Sequence, residues 1–241
     1  MGERKTYHRG RRKKKKGGII STLILIIAIA VFCVSGYQLY KIFGGYHQGK
    51  SEYDKVREVA VHGDDKDEDE FVVDFDELKK INADTVGWIR FYPEPSQISY
   101  PLVQTTDNDL YLNRTFSANE NTVGAIFVNC DNASDFSDRN TIIYGHRMRD
   151  HSMFHDLEKY KDESFWKENP YFYIYTPDGR KLTCHIYSAG IVKDTSSTYL
   201  TQFASDEEYQ AFLDDTKRAG AYHTGVEVTT DQRVVTLSTC T

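Results

Sequence analysis

Cysteine is scarce in this chain, one long stretch carries no charge at all, and beyond its first residues there is no surplus of positive charge. Four cysteines occur, at positions 33, 130, 184 and 240. Cys33 lies inside an apolar run, which leaves three for a folded domain, and an odd count excludes a fully paired disulfide framework. Cys130 and Cys184 fit either two buried thiols or one disulfide, since spacing does not decide between them. The shortage of positive charge is masked by a net of −6 for the whole chain. Residues 1–18 hold nine Lys/Arg against Glu3, so the remainder has 21 basic and 35 acidic side chains. A domain of that sign is excluded as a nucleic-acid binder by its own charge. No internal repeat is present.

The uncharged stretch is Ile19–Tyr37, 19 residues, close to the about 20 needed to cross a bilayer as a helix. No small-x-small cleavage site follows it, so an uncleaved signal anchor is expected in place of a signal peptide. The basic flank sets the N-terminus inside and everything after Lys41 outside. The expected order is a cytoplasmic basic tail (1–18), a transmembrane anchor (19–37), an acidic linker (38–70) and a folded domain (71–241). The linker ends in the charge run Asp64–Glu70, whose composition is that of a solvated segment.

The domain reads as mainly β with peripheral helices. Asp74 and Glu77 form a D-x-x-E cap ahead of Phe75, Leu78 and Ile81 on one helical face. Strand patterns follow in WIRFY, ISYPLVQ, VGAIFVN, NTIIYG, YFYIYT, KLTCHIYSAGIV and RVVTLST, and Pro177–Gly179 marks a hairpin turn. Helices are expected over roughly 152–160 and, with Ser205 and Glu208 as a capping box and Gly220 as a stop, over 205–219. Short strands with helices outside them imply an antiparallel barrel or sandwich.

A free thiol outside the cell calls for a reason. Cys240 ends the strand RVVTLST, and alternation puts Thr236, Ser238 and Cys240 on one face. A cysteine nucleophile needs an acid/base partner. Of eight histidines, His146 stands out, because it follows the apolar strand TIIYG and a glycine that permits a sharp exit. His151 and His155 are four apart and could clasp a metal, but their S-M-F spacer is not the zinc-protease motif, so no metal is expected. A papain-like protease is disfavoured, because there the cysteine precedes the histidine.

The pair T-I-I-Y-G-H (Thr141–His146) and T-L-S-T-C (Thr236–Cys240) resembles the sortase family. The likeness extends to G-W-I at Gly87–Ile89, the Y-P-L-V-Q strand and N-D-L-Y-L at Asn108–Leu112, and the helix ahead of the last strand is similar to the hallmark of class B. The resemblance implies a sortase-like closed β-barrel preceded by one membrane helix, and a cysteine transpeptidase. Cys240 and His146 would be catalytic, no cofactor would be needed, and Asn108, Leu112, Thr195, Tyr199, Leu200 and Ser238 would contact substrate. It implies surface proteins with a C-terminal sorting signal as substrates, a lipid II-type peptidoglycan amine as acceptor, and a site at the outer face of the cell membrane. Family members carry a third catalytic residue, an arginine on the strand after the cysteine. It would fall beyond Thr241, so the resemblance reads 71–241 as a domain lacking its last strand. Arg233 points to the wrong face to replace it, and Arg147 and Arg149 are weak substitutes. The alternatives are a pilus-assembling sortase, disfavoured because the acidic run lacks an aromatic partner, and an inactive anchored binding domain.

Overall fold

The computed structural model describes residues 17–63 and 70–240, so the basic tail and the acidic run at 64–69 lie outside the described residues. The chain divides into two units, Met1–Gly44 and Gly45–Thr241. The first contains the apolar stretch of helix α1 (Gly17–Ala60), whose large side chains from Leu23 to Phe43 are exposed. Among the described residues this helix alone is long and apolar enough to cross a membrane.

In the second unit, α1 ends against the core. Tyr53, Val56 and Ala60 are buried there, at a spacing that gives one helical face. Over 53–60 the chain is therefore packed where a solvated linker was expected for 38–70, and the charge run of that linker at 64–69 lies outside the described residues. The stripe escaped notice because Asp54, Lys55, Arg57 and Glu58, interleaved with it, dominate the local composition. A two-stranded ribbon follows, β1 (Val61–His62) against β2 (Val72–Val73). Asp74 then caps α2 (Phe75–Ile81), accepting from Glu77 N at 3.0 Å. Leu78 is fully buried, whereas Ile81 is 41% exposed and does not share the core face expected of it.

Seven strands form the main sheet: β3 (Thr85–Phe91), β4 (Ser99–Val103), β5 (Ile126–Val128), β6 (Asn140–Tyr144), β7 (Tyr171–Tyr175), β8 (Lys181–His185) and β9 (Val234–Ser238). Their order is β8-β7-β3-β4-β5-β6-β9, curled into a nearly closed barrel. Ile89, Leu102, Ile126 and Ile174, which share one face by register, and Trp88 and Ile142 on the other face are buried with no exposed area. The sheet is mixed: β4–β5 and β6–β9 are parallel and the other pairs antiparallel. That corrects the expectation of an antiparallel barrel, since alternation within a strand carries no information on the direction of its neighbour. The β7–β8 hairpin turns where expected, with Gly179 N donating to Thr176 O at 3.0 Å.

The first helical insertion differs from its expectation. Met153 and Phe154 are buried ahead of a 3-10 helix at His155–Lys161, and a separate α3 (Glu163–Glu168) follows, capped by Asp162. The second insertion matches as α4 (Asp206–Arg218), capped by Ser205. Its stripe of Tyr209, Phe212 and Leu213 packs with Val234 in a satellite core that holds the start of β9.

Candidate active site

The candidate chemistry sits at the ends of β6 and β9. These strands pair in parallel from Asn140–Val234 to Tyr144–Ser238. The ladder runs one step further, Gly145 N donating to Ser238 O at 3.1 Å. Two residues past the last registered pair stand His146 on one segment and Cys240 on the other. Cys240 is an exposed free thiol and His146 is half-buried.

The histidine is held from several directions. His146 Nε2 lies 2.7 Å from the Leu112 carbonyl. A carbonyl only accepts, so it is Nε2 that donates in this bond. The His146 carbonyl accepts from Phe154 N at 2.9 Å. Gly145 is required by packing: a Cβ there would come within 2.6 Å of the Phe154 ring. Its role is thus close approach, and a sharp exit is not what demands it. Gly124, at φ 66, lies beneath the imidazole, and a Cβ would meet His146 Cδ2 at 2.8 Å. Below it, Tyr53 OH donates to Gly124 O at 2.7 Å and accepts from Phe116 N at 3.2 Å. Burial pushes the Tyr53 hydroxyl well above its ordinary value, which keeps it a donor.

The remaining thiols are less suited to chemistry. All cysteines are free, so the disulfide alternative for Cys130 and Cys184 is not realised. Burial pushes the Cys184 thiol up to about 12, away from the reactive thiolate. Cys130 is half-buried, and its backbone N donates to Asn108 Oδ1 at 2.9 Å.

The residues expected to contact substrate fall into two groups. Near the histidine, Leu112 supplies its carbonyl from the 3-10 turn Leu110–Leu112, and Asn108 is tied to the loop after β5 through Cys130 and Asn129. Near the cysteine, Tyr199 OH lies 3.0 Å from Ser238 Oγ. Thr195 is exposed ahead of the 3-10 turn Ser197–Tyr199, and Leu200 is exposed just after it.

Sequence reasoning missed what joins these pieces. Asn140, fully buried, donates to the Thr198 and Leu200 carbonyls at 3.2 and 2.7 Å and accepts from Thr236 Oγ1 at 2.8 Å. One amide thereby fixes β6, β9 and the turn carrying Tyr199.

A cleft of about 950 Å³ opens between β8 and β9, lined by Leu182, Cys184, Tyr199, Leu237, Ser238 and Cys240 among others. His146, Asn108, Leu112, Thr195 and Leu200 are not among its lining residues. Of the arginines, Arg233 immediately precedes β9, at the opposite end of the strand from Cys240, and Arg147 is paired with Glu158. Arg149 is exposed in the loop beyond.

Comparison with known proteins identifies the family of this fold. A sortase domain model matches residues 94–241. Sortase B of Staphylococcus aureus is 31% identical over 219 residues, covering 91% of this chain and 88% of its own. A crystal structure of a Bacillus anthracis protein described as similar to sortase B superposes with a TM-score of 0.71 at 34% identity, covering 81% of this chain and 92% of that one. A Staphylococcus aureus sortase B–substrate complex superposes at 0.65 and 30% identity, covering 86% and 89%. Motif, barrel and relatives converge, and the chain belongs to the sortase family, in its class B.

Proposed function

We propose that this class B sortase is a membrane-anchored transpeptidase with Cys240 as nucleophile and His146 as general acid and base. It would cleave the C-terminal sorting signal of surface proteins and join the new Thr carboxyl to a peptidoglycan amine. The observation that supports the reading is the parallel register of β6 and β9, whose last pair lies two residues before both His146 and Cys240.

In the first step the Cys240 Sγ–H proton passes to His146 Nδ1 and the sulfur attacks the Thr carbonyl carbon. The peptide C–N bond breaks, and the leaving amine takes its proton from His146 Nδ1, while Nε2–H remains bound to Leu112 O. In the second, an acceptor amine attacks the thioester and gives a proton to Nδ1, the C–S bond breaks, and the departing Cys240 sulfur takes that proton back from Nδ1. Tyr199 and Ser238, joined to each other in the cleft, would meet the peptide beside the nucleophile. The Staphylococcus aureus sortase B–substrate complex supports a peptide substrate here by likeness.

The full chain in detergent, treated with a thiol-reactive sorting-signal mimic, should carry its adduct on Cys240 and lose it in Cys240→Ala. An adduct on Cys130 or Cys184 would overturn the assignment. His146→Ala should slow turnover of a fluorogenic sorting-signal peptide by about 100-fold. Near-normal turnover would move the acid/base role elsewhere.

A further inference from the structure

Past His146 the chain makes a short excursion and returns. Arg147 bridges Met153 and Phe154 N reaches the His146 carbonyl. At the base of this excursion three metal-ligating side chains meet. One donor atom from each of His151, His155 and Asp156 lies within 4.8 Å of the others. The His151 and His155 rings are 4.2 Å apart between centroids, and His151 Nδ1 is 3.5 Å from Asp156 Oδ1. Two ligands about 2.0–2.1 Å from one tetrahedral ion stand roughly 3.4 Å apart. The exposed His151 ring is free to make the remaining adjustment.

An ion pair between a protonated His151 and Asp156 explains that one contact, but it leaves His155 unexplained. The His155 side chain is 10% exposed, and its Nδ1 is buried without a hydrogen-bond partner. Its other nitrogen, Nε2, lies 3.3 Å from Glu158 Oε1. Glu158 thus faces one side of the ring, and Nδ1, on the other, is the buried nitrogen left without a partner. A carboxylate that fixes one imidazole nitrogen while the other ligates is the usual support of a metal-bound histidine. Asp156 is prepared similarly. It is 3% exposed, and Lys159 Nζ takes Oδ2 at 2.9 Å, leaving Oδ1 on the His151 side. The i, i+4 spacing of the two histidines was visible in the sequence. The third ligand and the buried, unpartnered nitrogen were not.

We propose that His151, His155 Nδ1 and Asp156 Oδ1 form a binding site for a divalent transition metal of the zinc class. Two imidazoles and one carboxylate suit such an ion, whereas calcium and magnesium call for oxygen ligands. A bound ion would join the loop after His146 to the 3-10 helix at His155–Lys161. Glu158, which supports His155, also holds Arg147, the residue next to His146. Metal occupancy would therefore stiffen the segment that carries the imidazole. The site does not depend on the transpeptidase assignment.

The test uses the full chain in detergent with Cys240→Ala, which removes the exposed thiol of the domain as a competing ligand. Metal-stripped protein is titrated with Zn²⁺ against a chromophoric chelator, and with Co²⁺ by visible absorption. One saturable Zn²⁺ site per chain is expected, with tetrahedral Co²⁺ bands and no thiolate charge-transfer band. His151→Gly, a residue that accepts the φ of 65 at this position, should abolish the site while leaving the metal-free melting curve intact. Glu158→Gln should weaken Zn²⁺ about 10- to 100-fold. Absence of a saturable site in the parent, or unchanged affinity in either variant, would overturn the proposal.

Discussion

At the scale of single residues, the backbone around His146 matters as much as the imidazole. Gly124→Ala would place a methyl 2.8 Å from His146 Cδ2, 2.8 Å from Tyr111 O and 2.9 Å from Leu112 O, on a backbone at φ 66. The ring must shift and its bond to Leu112 loosen. Displacement of about 1 Å at a reacting group can cost 100-fold, so kcat on a sorting-signal peptide should fall by roughly 10- to 100-fold, with KM changed far less. An unaltered kcat in a folded Gly124→Ala variant would show that the imidazole is not positioned from this side. The strand ends ahead of His146 and Cys240 were legible in the sequence because each closes an apolar strand pattern that stops abruptly. The Leu112 carbonyl was not, since a backbone acceptor has no residue-type signature. Asn140 did leave a signal: asparagine is disfavoured inside strands, and its place at the head of NTIIY needed an account that only the turn at Ser197–Tyr199 provides.

Among elements, α4 was legible because its cap, stripe and stop all lie within one local window. The parallel pairing of β6 and β9 was not, because partner and direction are set by packing between distant segments. The C-terminal part of α1 was missed for a different reason, its apolar face being narrow and flanked by charge. That face is anchored by Glu52, which accepts from Ser117 N at 2.9 Å and Asn119 Nδ2 at 3.1 Å. Burial alone would raise its carboxyl, but hydrogen bonds from Thr115, Ser117 and Asn119 outweigh it and hold the group below its ordinary value. A carboxylate depressed on folding stabilises above its unfolded pKa, about 4.3, and that contribution is lost as pH falls through the lower folded value. Glu52→Gln should therefore lower the denaturant midpoint at pH 7, with the deficit shrinking in acid. A deficit equal at both ends of that range would place the effect in packing and not in charge.

Considered whole, the molecule joins an apolar helix to an acidic domain, and the sequence announced both. The 19 uncharged residues Ile19–Tyr37 make about 29 Å of helix, close to a bilayer's hydrocarbon core of about 30 Å. Nine basic residues precede it, so protease added to intact protoplasts should remove the domain and leave an epitope on residues 1–18 protected. Protection of the domain would reverse the orientation and separate Cys240 from any wall substrate. Within the domain, among the described residues, β9 pairs in the sheet only with β6, and 96 residues separate Asn140 from Thr236. Closing a loop of that length costs entropy that a local pair such as β7 and β8 never meets, so the seam between β6 and β9 belongs among the late events of folding.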